Sequence, residues 1–215
     1  MEIRRDAVAP FFKNGYLVWC ETTRQGVLID PGDEVDTLID AARTGDVEVQ
    51  AILLTHAHVD HVTGVGRAKA VFEVPIWLDR ADLPLYANAV AQARMFGFEV
   101  ESPPPVDRFY DPATPLEFGR YRIDVLRTPG HCPGGVCLAI GPAEALSREL
   151  FVGDTLFAGS IGRTDLPGGD YATLIRSIRD VLFKFPDETI VHSGHGPDTT
   201  IGEERRTNPF LTPAR

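Results

Sequence analysis

The sequence predicts a layered α+β or α/β protein in which helices cover the outer faces of β-sheets. Three observations carry that expectation. Strand-like and helix-like stretches alternate along the whole chain: strands first, then helix, strand, helix, and a second round with a similar rhythm. The stretch 171–185 places Tyr171, Leu174, Ile175, Ile178, Val181, Leu182 and Phe185 on one helical stripe. The run VQAILLT, residues 49–55, is too continuously apolar for a half-exposed strand and reads as one covered on both faces.

Taken in order, EIRRDAVA (2–9), GYLVWCE (15–21) and GVLIDPG (26–32) read as strands separated by turns. DEVDTLIDAARTG (33–45) reads as a helix. Its apolar residues Val35, Leu38, Ile39 and Ala42 fall at i, i+3, i+4 and i+7, and Gly45 supplies a stop. After strand 49–55, HVTGVGRAKAVFE (61–73) is expected as a helix, PIWL (75–78) as a strand, and most of 80–98 as helical. A proline-rich loop spans 100–115. YRIDVLRT (121–128), GVCLAIG (135–141) and ELFVGDTLF (149–157) return to strands. Helix 171–185, strand ETIVHSG (188–194) and a short helix IGEERRT (201–207) complete the chain. No linker and no close repeat interrupts it, and at 215 residues we expect a single domain over 1–215.

Composition narrows the function. A formal net charge of −10 argues against a nucleic-acid surface and for solubility. No run of about 18 apolar residues is present, so no membrane span is expected. The N-terminal stretch carries charges and Pro10 where a signal peptide needs an unbroken apolar segment, which leads us to expect a cytoplasmic protein. Three scattered cysteines, Cys20, Cys132 and Cys137, do not make a disulfide framework.

The polar residues then gather at strand exits. THAHVDH puts His56, His58, Asp60 and His61 directly after strand 49–55. TPGHCPGG puts His131 after strand 121–128, GDT puts Asp154 late in strand 149–157, and HSGHG puts His195 after 188–194. Loops at one sheet edge converge on a point, and so many imidazoles beside carboxylates call for cations among them. In H-x-H an extended backbone aims both rings the same way, and a turn after His58 sends Asp60 and His61 to a second point. We therefore expect two divalent ions. One is held by His56, His58 and His131, the other by Asp60, His61 and His195, with Asp154 bridging them and a shared hydroxide as nucleophile. A histidine–carboxylate set without thiolate accepts zinc, iron or manganese.

T-H-x-H-x-D-H, T-P-G-H, G-D-T-L-F and G-H-G, in this order, resemble the metallo-β-lactamase fold superfamily. GDTLFAGSIGRTDLPGGD and GHGPDTTIGEERRTNPF are similar to its glyoxalase II-type hydrolases, in the short form without a C-terminal helical domain. The resemblance covers about residues 15–210. It implies an αββα four-layer sandwich, with two mixed sheets packed face to face, helices outside and metals at one edge, and its motif matches the seven ligands position by position. It also implies hydrolysis of S-2-hydroxyacylglutathione, such as S-D-lactoylglutathione, to glutathione and the hydroxy acid. The chemistry leans the same way. A thiolate leaving group, with a thiol pKa of about 8.5, needs little help from a general acid, and no extra proton donor stands beside the ligands. Asp60 is expected to orient the hydroxide.

Two departures from glyoxalase II bear on the substrate. Only 20 residues follow His195 (215 − 195), and GHGPDTT lacks the tyrosine that usually follows this histidine. Competing readings are a persulfide dioxygenase using one iron on His56, His131 and Asp154, and a lactamase-like hydrolase. A binding module would predict lost ligands, and a nuclease a basic surface. Outside the ligand set, Asp30 in LIDPG is either an Asx-type turn or a carboxylate that orients a ligand histidine. Arg163 in IGRTD either holds an anionic substrate group or ties down its loop. His192 reads as a core or rim histidine, Cys132 as structural, and Asn208 as a turn or capping residue.

Overall fold

The computed structural model describes residues 1–145 and 147–212. It divides into two compact units, Met1–Tyr110 with Glu117–Tyr121, and Asp111–Leu116 with Arg122–Arg215. Among the described residues two six-stranded mixed sheets, a two-stranded hairpin sheet and helices make up the fold, in keeping with the layered class the sequence predicts.

In the first unit β1 (Glu2–Asp6), β2 (Gly15–Trp19) and β3 (Gln25–Ile29) lead into helix α1 (Val35–Thr44) and strand β4 (Glu48–Leu53). Helices α2 (Val59–Val62) and α3 (Val65–Phe72), strand β5 (Ile76–Leu78), α4 (Leu83–Ala87), α5 (Ala89–Met95) and β6 (Arg108–Phe109) follow. The strands form one six-stranded sheet in chain order. The pairs β1/β2 and β2/β3 are antiparallel, and β3/β4, β4/β5 and β5/β6 are parallel. Helix α1 buries Val35, Leu38, Ile39 and Ala42, the stripe its periodicity predicts. That stripe joins Leu17, Leu28, Ile52, Leu54, Ile76 and Leu78 in one core, where each fully buried aliphatic side chain contributes roughly 1.5–3 kcal/mol. At the end of β4, Ala51, Ile52 and Leu53 are all buried, so the strand delivers THAHVDH from the interior.

A second six-stranded sheet, carried mostly by the second unit, runs β14–β13–β10–β9–β8–β7. Its strands are β7 (Leu116–Phe118), β8 (Tyr121–Arg127), β9 (Val136–Pro142), β10 (Glu149–Gly153), β13 (Ile190–Ser193) and β14 (Thr199–Thr200). Between β10 and β13 lie the hairpin β11 (Leu156–Phe157) and β12 (Ser160–Ile161), then helix α6 (Tyr171–Asp180). Helix α7 (Ile201–Thr207) follows β14. Helix α6, capped by Asp170 accepting from Thr173 N at 2.7 Å, packs Leu174 and Ile178 against Cys137, Leu150 and Val191.

Several elements differ from their sequence-based expectation. Helix 61–73 breaks at Thr63–Gly64, because Gly64 donates to the Pro31 carbonyl and any Cβ there would sit 2.2 Å from the Gly32 carbonyl oxygen. The stretch 80–98 splits into a 3-10 turn, α4 and α5, with Pro84 in the first turn of α4. Strand 149–157 stops at Gly153, which takes φ +49°, and restarts as β11 after a tight turn. Helix 171–185 ends at Asp180, and Phe185 is extended before Pro186. Tyr171 is exposed rather than part of the stripe. Among the described residues no helix is long and apolar enough to cross a membrane.

Candidate metal centre

The first unit gathers His56, His58, Asp60 and His61 around the start of α2. His56, His58 and His61 are buried. The His56 ring lies 4.9 Å from that of His58, edge-on, and 4.0 Å from that of His61. Two glycines bring this loop against the Asp30–Glu34 turn. A Cβ on Gly32 would stand 2.3 Å from the Asp60 carbonyl oxygen, and one on Gly64 would strike the Gly32 carbonyl.

Asp30 organises the group. Its Oδ1 accepts from Thr55 N at 2.7 Å, and its Oδ2 accepts from Thr55 Oγ1 at 2.6 Å and from His61 Nδ1 at 3.0 Å. Donor counting over these contacts favours one tautomer for each ring. An ionised carboxylate only accepts, so His61 carries its proton on Nδ1. Thr55 spends its single hydroxyl proton on Asp30, so its contact with His56 Nδ1, 3.1 Å away, is one in which the ring donates. Both rings therefore turn an Nε2 lone pair away from Asp30. Asp30, His56 and His61 also offer donor atoms within 4.8 Å of one another.

The second unit builds a corresponding group. His131 Nδ1 lies 2.7 Å from the Arg163 carbonyl oxygen, which only accepts, so this ring too is protonated on Nδ1. Its Nε2 is 3.8 Å from Asp154 Oδ2, and the same oxygen is 3.7 Å from His195 Nε2. Helix α6 braces the His131 turn: Gly130, at φ +132°, would place a Cβ 2.2 Å from Leu174 N, and Ser177 Oγ donates to the Pro129 carbonyl at 2.7 Å. Gly162 admits the β12 segment to the same place, since a Cβ there would lie 1.8 Å from the Asp154 carbonyl oxygen and 3.0 Å from His131 Nδ1.

These residues suit a divalent cation. His61 Nε2 stands 3.7 Å from Asp60 Oδ2, as His131 Nε2 stands from Asp154 at 3.8 Å. Each distance is too long for a hydrogen bond, and each sets a lone pair against a carboxylate oxygen. Two ligands of one ion, bound at about 2.1 Å with tetrahedral angles, lie roughly 3.4 Å apart. A cation turns an acceptor–acceptor repulsion into two bonds.

The remaining residues fall elsewhere. The Arg163 guanidinium is paired with Asp165 at 2.7 and 2.8 Å, which holds the Asp165 carboxyl down at about 2, and it is the Arg163 backbone that reaches His131. His192 is buried on Phe151 with Glu149 2.7 Å from Nε2 and Asp198 3.3 Å from Nδ1. Cys132 is buried, and burial pushes the Cys137 thiol up to about 11. Asn208, fully buried at the end of α7, donates to the Ser160 carbonyl and to Glu204. Sequence reasoning missed Thr55, Lys13, Glu34, Gly162 and also Asp82, whose Oδ2 accepts from Ala57 N at 3.1 Å. Only Thr55 had a signal, its place directly before the first histidine.

Comparison with known proteins identifies the family. The metallo-beta-lactamase superfamily model matches residues 8–195. A hydroxyacylglutathione hydrolase, GloC, from Haemophilus influenzae is 39% identical over 213 residues, 98% of each chain. The crystal structure of TTHA1623 in a di-iron-bound form is 44% identical, covers 97% of this chain and 100% of its own, and superposes with a TM-score of 0.85. That of the BLEG-1 B3 metallo-beta-lactamase is 35% identical, covers 98% and 100%, and gives 0.87. The chain belongs to the metallo-beta-lactamase superfamily, as one of its metallo-hydrolases.

Proposed function

We propose that the enzyme hydrolyses a thioester, S-2-hydroxyacylglutathione such as S-D-lactoylglutathione, to glutathione and a hydroxy acid. The observation that carries the reading is the 39% identity, end to end, with a relative named for that activity. In this reading His56, His58, Asp60, His61, His131, Asp154 and His195 hold two divalent ions of zinc, iron or manganese. Bound ions supply a water of pKa about 7 and a Lewis acid for the carbonyl oxygen. The chain's own part is to present lone pairs. Asp30 holds the proton of His61 on Nδ1 and Thr55 that of His56, the Arg163 carbonyl does so for His131, and Asp60 orients the attacking water. A thiolate of pKa about 8.5 leaves without a proton donor, which suits a site whose polar groups are ligands and their supports.

The test is thiol release from S-D-lactoylglutathione by metal-replete protein, with a chelated sample and Asp154→Ala beside it. Chelator-sensitive release, lost together with bound metal in Asp154→Ala, is the expected result. No release by metal-loaded wild type refutes the substrate. A second reading, β-lactam hydrolysis, draws on the likeness to the BLEG-1 structure, and a chromogenic cephalosporin in the same assay separates the two. Oxygen uptake with glutathione persulfide would instead mark the mononuclear-iron dioxygenase.

A further inference from the structure

Beneath Asp30 lies an ion pair with almost no access to water. Lys13 and Glu34 side chains are each 1% exposed, and Lys13 Nζ stands 2.6 Å from Glu34 Oε1. Such a pair is a poor stabiliser, since the desolvation of two charges consumes most of their attraction and apolar residues of similar volume do as well. Its hydrogen bonds point to another role. Lys13 Nζ also donates to the backbone carbonyl of Asp30, and Glu34 Oε1 accepts from Gly32 N at 2.8 Å. Asp30 sits at φ +48°, in the left-handed region and directly before Pro31. Asp tolerates this region better than most residues with a Cβ, but a residue before proline is pushed toward extended backbone, so the conformation needs support from its surroundings. Its N–H is held by the Leu53 carbonyl at 3.0 Å, and the Lys13 ammonium holds the other side of the residue.

We infer that the Lys13–Glu34 pair is a positioning device: it clamps the Asp30 backbone so that its carboxylate meets His61 and Thr55, and through Thr55 His56. The packing leaves the pair little freedom. A Cβ on Gly15 would fall 1.8 Å from Glu34 Oε1, and one on Gly32 would fall 2.8 Å from Lys13 Cε. Lys13 and Glu34 are positioning residues, acting on the imidazoles only through Asp30. The inference rests on His56 and His61 being ligands, and is independent of the substrate.

The test is the double variant Lys13→Met/Glu34→Gln, which removes both charges at once and keeps an acceptor for Gly32 N. In the metal-free state, long-range proton–nitrogen spectra read the ring tautomers directly. Wild type should show His61 protonated on Nδ1 alone. The variant should melt cooperatively yet show a mixture of tautomers, with metal affinity by chelator competition lower by about 10–100-fold, the usual effect of losing an outer partner. A folded variant with the wild-type tautomer and wild-type affinity overturns the inference. A second measurement needs no variant. The Lys13 ammonium protons of wild-type protein should be protected from exchange, and rapid exchange would overturn the inference equally. Wild type that binds no metal would instead sink the ligand assignment, while the tautomer readout would still judge the clamp.

Discussion

Replacing Thr55 by valine tests the hydrogen-bond logic of the site at one atom. The side chain keeps its shape and loses only its hydroxyl, which donates to Asp30 at 2.6 Å and accepts from His56 Nδ1 at 3.1 Å. The bond to a carboxylate contributes about 1.5–3 kcal/mol, and a buried ring N–H left without its acceptor costs about 1–3 kcal/mol more. The added methyl returns about 0.8 kcal/mol. The net expectation is a loss of roughly 3 kcal/mol in the metal-free protein. With a urea dependence of about 2–3 kcal/mol per molar for a chain of this size, the midpoint should fall by roughly 1–1.5 M. His56 is then free to carry its proton on Nε2, so metal affinity should drop by about 10–100-fold. Urea denaturation after chelation measures the first quantity and chelator competition the second. Thr55→Ser, which restores the hydroxyl, should recover the affinity. A valine variant within about 1 kcal/mol of wild type and with unchanged affinity would refute the proton assignment made for His56.

Two further substitutions probe the second unit. Gly162→Ala forces a methyl to within 1.8 Å of the Asp154 carbonyl oxygen; overpacking of this kind costs about 1–3 kcal/mol, and a lower melting temperature should come with weaker metal retention. Unchanged melting and metal content would show that the β12 segment does not brace Asp154. Arg163→Ala removes an exposed ion pair but keeps the carbonyl that His131 uses. Exposed pairs contribute about 0–1 kcal/mol, so KM should stay within about twofold. A tenfold rise in KM, about 1.4 kcal/mol of binding, would return Arg163 to the substrate.

Most of the architecture was legible because burial imposes a period on the sequence. The α1 stripe and the apolar end of β4, Ala51–Leu53, are direct consequences of which faces meet the core. Where the expectation failed, a contact between residues distant in sequence decided the outcome. Helix 61–73 broke because Gly64 meets Gly32, a contact that no local pattern announces. The hairpin β11/β12 was invisible because each strand is two residues long, too short for a period. Lys13, a single basic residue in a loop, gave no sign that it lies under Asp30.

By itself the sequence determined the donor types and where they leave their strands, since side-chain chemistry and strand ends are local properties. Tertiary structure alone decided which partner each ring nitrogen meets. Only the fold shows that the Asp30 oxygens lie on Thr55 and His61, 25 and 31 residues away. Only the fold shows that the Arg163 guanidinium lies on Asp165 while its carbonyl reaches His131, 32 residues away. An imidazole has two nitrogens of nearly equal standing, and which one keeps its lone pair depends on the partner that folding brings to the other.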